Sequence, residues 1–498
     1  MPTRERLGTF FLFSSPGNPY ILARKPILIE SLILREENMI TFPARFTWGT
    51  ATSSYQIEGA WREGGRGLSI WDAFSHTPGK TAGGDTGDIA CDHYHRFRED
   101  VALMAQIGVK AYRFSIAWPR LQPAGYGPAN REGISFYSDL IDELLAHNIT
   151  PWVTLYHWDL PLALQLEIDG WLDPRCAALF RDYAALCFDR FGDRVKHWIT
   201  FNEPWVAAVL GYGQGFFAPG RVSRDGPYQA AHQMLRAHAL TVDLYRTRFA
   251  GQKGRIGMAP NCDWREPLTL QATDREAAER AVEFILGWFG DPLWFGEYPE
   301  SMRLRLGERL PQFTDRERGL LRGSGDFFGI NHYTTHHASH APGKKPAGAG
   351  CDPDADAEAE FSLDPGWPRT AMGWAIAPWG LNRLLHWIDR RYGRPEIVIT
   401  ENGCAMEDRL EKGHVDDQGR IGYFKGYLAE CHKAIGAGVR LSGYFAWSLL
   451  DNFEWASGYG KRFGLYYVDF ATQQRLPKSS AAWFRRLIAA NGFEEAER

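Results

Sequence analysis

Short apolar runs rich in β-branched and aromatic residues alternate with longer helical patterns from residue 45 onward. This alternation is typical of parallel βα units, in which a crossover helix follows each strand. Eight runs have the length and composition of strands, at residues 46–51, 111–116, 151–157, 197–202, 255–259, 327–331, 396–401 and 442–447. Eight parallel strands close a barrel, so the sequence predicts an α/β fold, a (β/α)₈ or TIM barrel with elaborated βα loops.

The segments between these runs have the periodicity of amphipathic helices. Residues 134–147 and 379–392 each place leucine and isoleucine on one face and charged side chains elsewhere, which predicts two helices that pack on the barrel. Residues 340–368 are rich in Pro, Gly, Ala and acidic residues, which predicts a long, mobile loop after the sixth strand.

One domain accounts for the organised part of the chain. A barrel with elaborated loops reaches 498 residues without a second domain. We predict the barrel over residues 39–490, a disordered or artefactual extension at residues 1–38 and a tail at residues 491–498. Arg4 and Arg6 precede a short apolar run, but Pro16 and Gly17 interrupt it and no convincing cleavage site follows. We therefore expect a cytoplasmic protein.

Charge and cysteine content exclude several classes of partner. A net charge of −4 with scattered Lys and Arg gives no broad basic surface, so neither nucleic acid nor membrane is expected as a partner. The seven cysteines are odd in number, widely spaced and without a Cys-x-x-Cys pair, which argues against disulfides and zinc. The histidine pairs at 93 and 95 and at 336 and 337 lack further ligands, so we expect no metal and no cofactor. The oligomeric state stays open.

Two predicted strands end in a glutamate beside an asparagine. Asn202-Glu203 closes the fourth run and Glu401-Asn402 closes the seventh. Both glutamates should face the barrel mouth, where βα barrels place their reactive groups. Hydrolysis of an acetal needs an acid for the leaving oxygen and a second carboxylate that attacks the anomeric carbon or activates water. A single glutamate could equally cap a helix or pair with an arginine, but two in equivalent positions favour catalysis.

Several longer motifs follow one another along the chain. They lie at residues 56–59 (Gln-Ile-Glu-Gly), 113–118 (Arg-Phe-Ser-Ile-Ala-Trp), 155–159 (Leu-Tyr-His-Trp-Asp), 200–204, 331–333 (Asn-His-Tyr), 400–403 and 447–455. In these motifs and their order, the chain resembles the β-glucosidases of glycoside hydrolase family 1 from about residue 42 to residue 488. The resemblance implies a retaining double displacement in which Glu401 is the nucleophile and Glu203 the acid/base.

The resemblance also implies supporting roles for Arg113, Asn202 and Tyr333. Arg113 would lower the pKa of Glu401 because the two charges are opposite, and Tyr333 would donate a hydrogen bond to the same carboxylate. Partial burial and the Glu401 charge would keep Glu203 protonated until the glycosyl ester forms. Retention requires the two carboxyl groups to lie about 5 Å apart.

A set of sugar-binding residues follows from the same resemblance. Asn202 would bind the 2-hydroxyl, Trp447 would form a stacking floor and Phe463 an apolar wall. Taken alone, His157 could be a core histidine and Trp455 a packing residue. The full set is Gln56, His157, Trp158, Asn202, Tyr333, Trp447, Glu454, Trp455 and Phe463. The implied substrates are small β-glycosides or cello-oligosaccharides, with the preference among glucosides, galactosides and fucosides open.

Other activities are compatible with parts of this pattern. A 6-phospho-β-glycosidase commonly has Ser where Glu454 stands, and a glutamate would repel phosphate even with Lys461 nearby. A non-catalytic sugar-binding relative would have lost one carboxylate, and the thioglucosidase branch has Gln at the position of Glu203. A transglycosidase would use the same residues. Phe217, where the family often has His, and Asp169, where Gly is frequent, are departures at the barrel rim.

Overall fold

The computed structural model describes residues 39–495 and contains a closed barrel of eight parallel strands. The strands are β1 (Met39–Thr41), β2 (Thr47–Ala51), β3 (Ala111–Ser115), β4 (Thr150–Tyr156), β5 (His197–Asn202), β6 (Arg255–Ala259), β7 (Trp264–Pro267), β8 (Phe328–Asn331), β9 (Thr335–His340), β10 (Ala359–Ser362), β11 (Ile397–Asn402), β12 (Leu441–Trp447), β13 (Tyr466–Asp469), β14 (Gln474–Pro477) and β15 (Gly492–Glu494). The barrel order is β2, β3, β4, β5, β6, β8, β11 and β12, and β12 pairs with β2. The predicted (β/α)₈ barrel is confirmed.

Helices follow the barrel strands, as a parallel barrel requires. The α-helices of the described chain are Ser54–Ile57, Ile70–Ser75, His93–Ile107, Trp118–Leu121, Arg131–Ala146, Leu162–Ile168, Arg175–Phe191, Pro204–Val206, Gly226–Arg248, Ala272–Val282, Trp288–Phe295, Glu300–Leu306, Asp315–Leu321, Pro353–Asp356, Trp379–Arg391, Gln418–Gly436 and Ser479–Ala490. Both helices predicted from periodicity are present. The first buries Leu140 and Leu144, and the second buries Leu384 and Ile388.

Aromatic side chains fill the interior of the barrel. The ring of Trp152 lies 5.3 Å from that of Phe327 and 5.2 Å from that of Phe445, and all three side chains are buried. Their inward direction follows from the alternation of side chains along each strand. The interior is therefore a packed core, and the cavity described below lies above it, at the carboxyl ends of the strands.

The segment after the sixth barrel strand has more structure than its composition indicates. The helix Pro353–Asp356 lies within residues 340–368, and β10 pairs with β9 in a three-stranded sheet that also contains β7. The prediction of a long loop is therefore wrong in part. Pairing of β10 depends on partners elsewhere in the chain, which local composition does not contain.

The two ends of the described chain pair with each other. β1 and β15 form an antiparallel pair in which Met39 lies opposite Glu494. Strand pairing thus continues into the expected tail at residues 491–498. Residues 496–498 of that tail lie outside the described residues. The predicted extension at residues 1–38 lies wholly outside it. Across residues 39–495, no helix combines the length and apolar character that crossing a bilayer demands.

A buried ion network connects the C-terminal part of the chain to the loops after β11 and β12. The Lys478 ammonium donates to Asp451 at 2.6 Å and to Asp408 at 2.5 Å, and Arg420 donates to Asp408 at 2.8 Å. Lys478 and Asp451 are fully buried. Burial lowers the pKa of Lys478, while the two carboxylates oppose that change. The network fixes Asp451, three residues before Glu454.

Replacing Lys478 by Met should destabilise the protein strongly. The change leaves two carboxylates in a buried site with one fewer cation, which costs about 3–5 kcal/mol of unfolding free energy. Chemical denaturation at pH 7 measures this loss. The exposed Lys110→Met variant serves as the control and should change stability by about 0.5 kcal/mol or less. Equal effects of the two substitutions would contradict the role assigned to the network.

Candidate active site

A cavity of about 290 Å³ opens at the carboxyl ends of the barrel strands. Gln56 and Arg113 are fully buried and lie behind its wall. The other ten predicted site residues line the cavity: His157, Trp158, Asn202, Glu203, Tyr333, Glu401, Trp447, Glu454, Trp455 and Phe463. Residues from β5, β11 and β12 and from the loops after β4, β8 and β12 thus meet in one place.

Glu401 lies on β11 and accepts hydrogen bonds on both carboxylate oxygens. The Arg113 guanidinium, on β3, donates a short hydrogen bond to Oε1, and the Tyr333 hydroxyl donates to Oε2 at 2.7 Å. Arg113 also donates to the Thr400 carbonyl oxygen at 3.2 Å and to Thr154 at 3.2 Å. The carboxylate is therefore fixed in orientation, with an opposite charge beside it.

Glu203 directly follows β5 and has a left-handed backbone conformation, with φ at 42°. Its amide donates to the Ala259 carbonyl oxygen on the neighbouring strand at 2.8 Å, and Pro204 begins a short helix after it. Asn331, at the end of β8, donates from Nδ2 to Glu203 Oε1 at 2.7 Å. The residue is 7% exposed, so Glu203 is almost enclosed by protein.

The two carboxyl groups have different electrostatic environments. Burial raises the pKa of Glu203 well above its usual range, and the Glu401 charge raises it further. Burial also raises the pKa of Glu401, but Arg113 and Tyr333 oppose this rise. We predicted that Arg113 would lower the pKa of Glu401; its effect has that sign, but burial outweighs it. Of the two groups, Glu401 therefore loses its proton first.

Asn202 connects the two sides of the site. Its Oδ1 accepts from Arg113 at 2.6 Å and from Asn331 at 2.9 Å, which directs its Nδ2 towards His157 Nε2, 3.0 Å away. Nε2 of the imidazole is then an acceptor, and Nδ1 carries the proton. Burial, followed by the Arg113 charge, lowers the pKa of His157 well below its usual value, so the ring is neutral.

Gln56 holds the segment that carries Glu454. Its Nε2 donates to Asn452 and to the Phe453 carbonyl oxygen, both at 3.0 Å, and to Glu454 at 3.4 Å. In this arrangement the segment 452–454 accepts hydrogen bonds from the Gln56 amide, and the contact of Gln56 with sugar stays a prediction. Burial and the Glu401 charge raise the pKa of Glu454 to about 8.

Aromatic side chains form much of the remaining wall. The rings of Trp158 and Trp455 lie 4.5 Å apart, and Tyr333 lies 6.1 Å from Phe463. Trp447 ends β12, and its carbonyl oxygen approaches Gly403 so closely that a Cβ there would lie 1.8 Å away. Glycine after Glu401-Asn402 is thus a packing requirement of this wall.

Asn331 belongs to the Asn-His-Tyr motif at residues 331–333 and had no predicted role of its own. It donates to both Asn202 and Glu203, and its Oδ1 accepts from the Thr400 hydroxyl at 2.6 Å. The sequence does contain a signal that could have predicted a site role for Asn331, because it ends the sixth predicted strand as Asn202 ends the fourth. The cavity also contains Trp205 and Trp374, which no motif had singled out.

No group of three or more His, Cys, Asp or Glu side chains with the arrangement of a metal site occurs in residues 39–495. Within the same range, all seven cysteines are free and buried.

A family model described as glycosyl hydrolase family 1 matches residues 38–493 of this chain. The chain belongs to glycosyl hydrolase family 1. Among curated family members, it is 48% identical to Beta-glucosidase 42 of Arabidopsis thaliana over 480 residues, which cover 94% of this chain and 98% of that protein. It is 45% identical to Beta-glucosidase A of Thermotoga maritima over 464 residues, covering 92% of this chain and 100% of that protein.

Solved structures of family 1 enzymes have the same fold. A crystal structure of a rice β-glucosidase superposes with a TM-score of 0.87 at 45% identity, covering 90% of this chain and 99% of that one. A second structure is a mutant of the rice enzyme in a covalent complex with Glc, also with a TM-score of 0.87. The Thermotoga maritima family 1 β-glucosidase superposes with a TM-score of 0.86 at 44% identity, covering 92% and 100% of the two chains.

Replacing Asn331 by Ala should move the basic limb of the pH profile of kcat/KM to higher pH. The Asn331 amide stabilises the ionised form of Glu203, so its loss raises the pKa of that carboxyl further. Glu203, the predicted general acid, would also be less well positioned, which should lower kcat/KM by about 10- to 100-fold, part of the effect of a positioned general acid. A pH profile with an aryl glucoside measures both. The control is Asn382→Ala, because the Asn382 amide donates to the Glu430 carbonyl oxygen on the outer helices, away from the cavity. If the basic limb of the pH profile does not move in Asn331→Ala, Asn331 does not control the pKa of Glu203.

Proposed function

We propose that this chain hydrolyses terminal non-reducing β-D-glucosyl residues of β-glucosides and retains the anomeric configuration. The observation that carries the proposal is a pair of buried carboxyl groups with different partners. Glu401 lies beside the positively charged Arg113, and Glu203 lies beside the neutral amide of Asn331. Several family 1 relatives named β-glucosidases, at 45–48% identity, support the choice of glucose.

In the first step, Glu401 attacks the anomeric carbon and Glu203 gives its proton to the glycosidic oxygen. The bond from the anomeric carbon to that oxygen breaks, its electron pair leaves with the alcohol, and a glycosyl ester forms on Glu401. Arg113 donates to Oε1 and Tyr333 to Oε2, and together they orient the attacking carboxylate. We predict a separation of about 5 Å between the carboxyl groups, which leaves no room for an intervening water.

In the second step, water replaces the alcohol. Formation of the ester removes the Glu401 charge, which is the main charge that raises the pKa of Glu203 in the free enzyme. Glu203 is then ionised and takes a proton from water, whose oxygen attacks the anomeric carbon as the ester bond breaks. The sugar leaves as the β-anomer, and both carboxyl groups return to their starting protonation states.

Recognition of the sugar falls to groups around the same cavity. We assign Glu454 to the 4- and 6-hydroxyls, Asn202 to the 2-hydroxyl and Trp447 to the apolar face of the ring. His157, Trp158, Trp455 and Phe463 complete the wall. Cello-oligosaccharides and small β-glucosides are the proposed substrates, with β-galactosides and β-fucosides as further candidates.

A 6-phosphorylated sugar fits this arrangement poorly. Glu454 lines the cavity, while the Lys461 ammonium donates to the Ala371 carbonyl oxygen at 2.6 Å. Glu454 supplies no positive charge that would bind phosphate, and its ionised fraction would repel phosphate. We further propose a cytoplasmic location, which the seven free, buried cysteines favour.

Loss of either carboxylate should have a distinct kinetic signature. Glu401→Ala should abolish turnover because no ester can form. Glu203→Ala should mainly slow substrates with poor leaving groups, and azide should partly restore turnover and yield a β-glycosyl azide. Kinetics on aryl glucosides of graded leaving-group pKa, with the first product anomer followed by NMR, test this. Equal losses on all leaving groups without rescue, or initial release of the α-anomer, would refute the proposal.

Glu454→Gln should weaken discrimination at the 4-hydroxyl. The substitution keeps the shape of the side chain but replaces one carboxyl oxygen, which can accept a hydrogen bond from a hydroxyl, by an NH2 group that can only donate. The ratio of kcat/KM for aryl β-glucoside to aryl β-galactoside should move towards one by about threefold to tenfold, corresponding to the strength of one hydrogen bond. The fold should be retained, as far-UV circular dichroism would verify, and an unchanged ratio would remove Glu454 from the recognition set.

A further inference from the structure

Two tyrosines on the helix that follows β11 hold the backbone of Tyr333. Tyr423 and Tyr427 are four residues apart on the helix Gln418–Gly436, so their side chains share one face of it. The Tyr423 hydroxyl donates to the Tyr333 carbonyl oxygen at 3.1 Å, and the Tyr427 hydroxyl donates to the same oxygen at 3.2 Å. Both tyrosines are buried, and neither lines the active-site cavity. They therefore contact Tyr333 from behind the cavity wall.

The Tyr423 hydroxyl also contacts Asn402, the residue that directly follows Glu401. Asn402 Nδ2 donates to this hydroxyl at 3.0 Å and to the His332 carbonyl oxygen at 2.6 Å. Because a carbonyl oxygen can only accept, it fixes which end of the Asn402 amide faces it. The Tyr423 hydroxyl thus accepts from Asn402 and uses its single proton for the Tyr333 carbonyl oxygen.

These contacts close a ring around the hydrogen bond that supports Glu401. On one side of the ring, the Tyr333 hydroxyl donates to Glu401 Oε2 at 2.7 Å. On the other side, the Tyr423 hydroxyl joins the Tyr333 backbone to Asn402, which is covalently bonded to Glu401. One buried hydroxyl therefore touches both the residue that donates this hydrogen bond and the neighbour of the residue that accepts it.

Further contacts keep the ring in place. The Tyr444 hydroxyl on β12 donates to Asn402 Oδ1 at 2.5 Å, and the rings of Tyr423 and Tyr427 stack with their centres 4.2 Å apart. Asn402 and Tyr444 are both fully buried. A buried polar group that loses its partner costs free energy, so each member of the ring resists displacement of the others.

We propose that Tyr423 is a positioning residue for the nucleophile: its hydroxyl holds Tyr333 and Asn402 together, so that the Tyr333 hydroxyl keeps its hydrogen bond to Glu401. The role rests on the proposed function, because it concerns the carboxylate that attacks the sugar in that reaction. Tyr423 acts through Tyr333 and does not itself contact the cavity.

The pH dependence of kcat/KM can detect this role. The Tyr333 hydrogen bond lowers the pKa of Glu401, so weakening that bond raises the pKa. Since attack requires the ionised carboxylate, the acid limb of the kcat/KM profile then moves to higher pH. The charged and titratable groups that face Glu401 come from four elements: Arg113 on β3, Glu203 after β5, Tyr333 after β8 and Glu454 after β12.

Tyr423→Phe removes only the hydroxyl and keeps the ring. With 4-nitrophenyl β-glucoside, we expect the acid limb to move up by about 0.5 pH unit and kcat/KM at the optimum to fall about threefold. Tyr333→Phe removes the supporting hydrogen bond itself and should move the limb by about one unit, the effect of one hydrogen bond to a charged group.

A double substitution separates positioning from a general structural role. In the Tyr333→Phe background, Tyr423→Phe should cause no further shift of the acid limb, because the hydroxyl that it positions is already absent. Tyr466→Phe is the matched control: its hydroxyl donates to the Leu103 carbonyl oxygen at 3.3 Å, and Tyr466 does not line the cavity. This control should leave the acid limb in place.

The outcomes distinguish the two proposals. An acid limb that does not move in Tyr423→Phe, or that moves equally with and without the Tyr333 hydroxyl, would overturn the positioning role and leave the hydrolase activity in place. If Tyr423→Phe does not fold, the same comparison with Tyr427→Phe decides, with a smaller shift in the same direction expected, because that change spares the contact with Asn402. A wild-type enzyme that does not hydrolyse 4-nitrophenyl β-glucoside would overturn the proposed function, and the role of Tyr423 with it.

Discussion

Arg113 is a fully buried cation, and the arrangement of the site depends on how its charge is compensated. An uncompensated buried guanidinium would cost several kcal/mol, so oxygen acceptors must surround it. Glu401, Asn202 and the Thr400 carbonyl oxygen supply them from β5 and β11. Asn331 extends the network to Glu203. One hydrogen-bonded network thus connects both carboxyl groups, and only Glu401 contacts the positive charge directly.

The strands and the two glutamates could be predicted because their signals are local. Central parallel strands are buried on both faces, so they appear as apolar runs such as residues 397–400, and a polar residue at the end marks the barrel mouth. Glu203 and Glu401 both stand at such ends. Assigning the chain to a family needed the longer motifs, because the two glutamates alone would also fit a helix cap or an ion pair.

Other features depend on contacts that no local pattern contains. The bond from Asn331 to Glu203 joins residues 128 positions apart, and the pKa of Glu401 depends on burial by the whole barrel. The amide of Gln56 donates to Asn452, which lies 396 positions further along the chain. The strand β10 was missed because its partner β9 decides its conformation.

The central claim is that Glu401 forms a covalent bond with the sugar while Glu203 moves protons. Incubation with a 2-deoxy-2-fluoro-β-glucosyl fluoride tests it directly, because the fluorine at C2 slows both steps and the fluoride leaving group preserves formation of the ester. Mass spectrometry of the intact protein should record the addition of one fluoroglucosyl unit, and peptide mapping should place it on Glu401. An adduct on another residue, or inhibition without any adduct, would contradict the account.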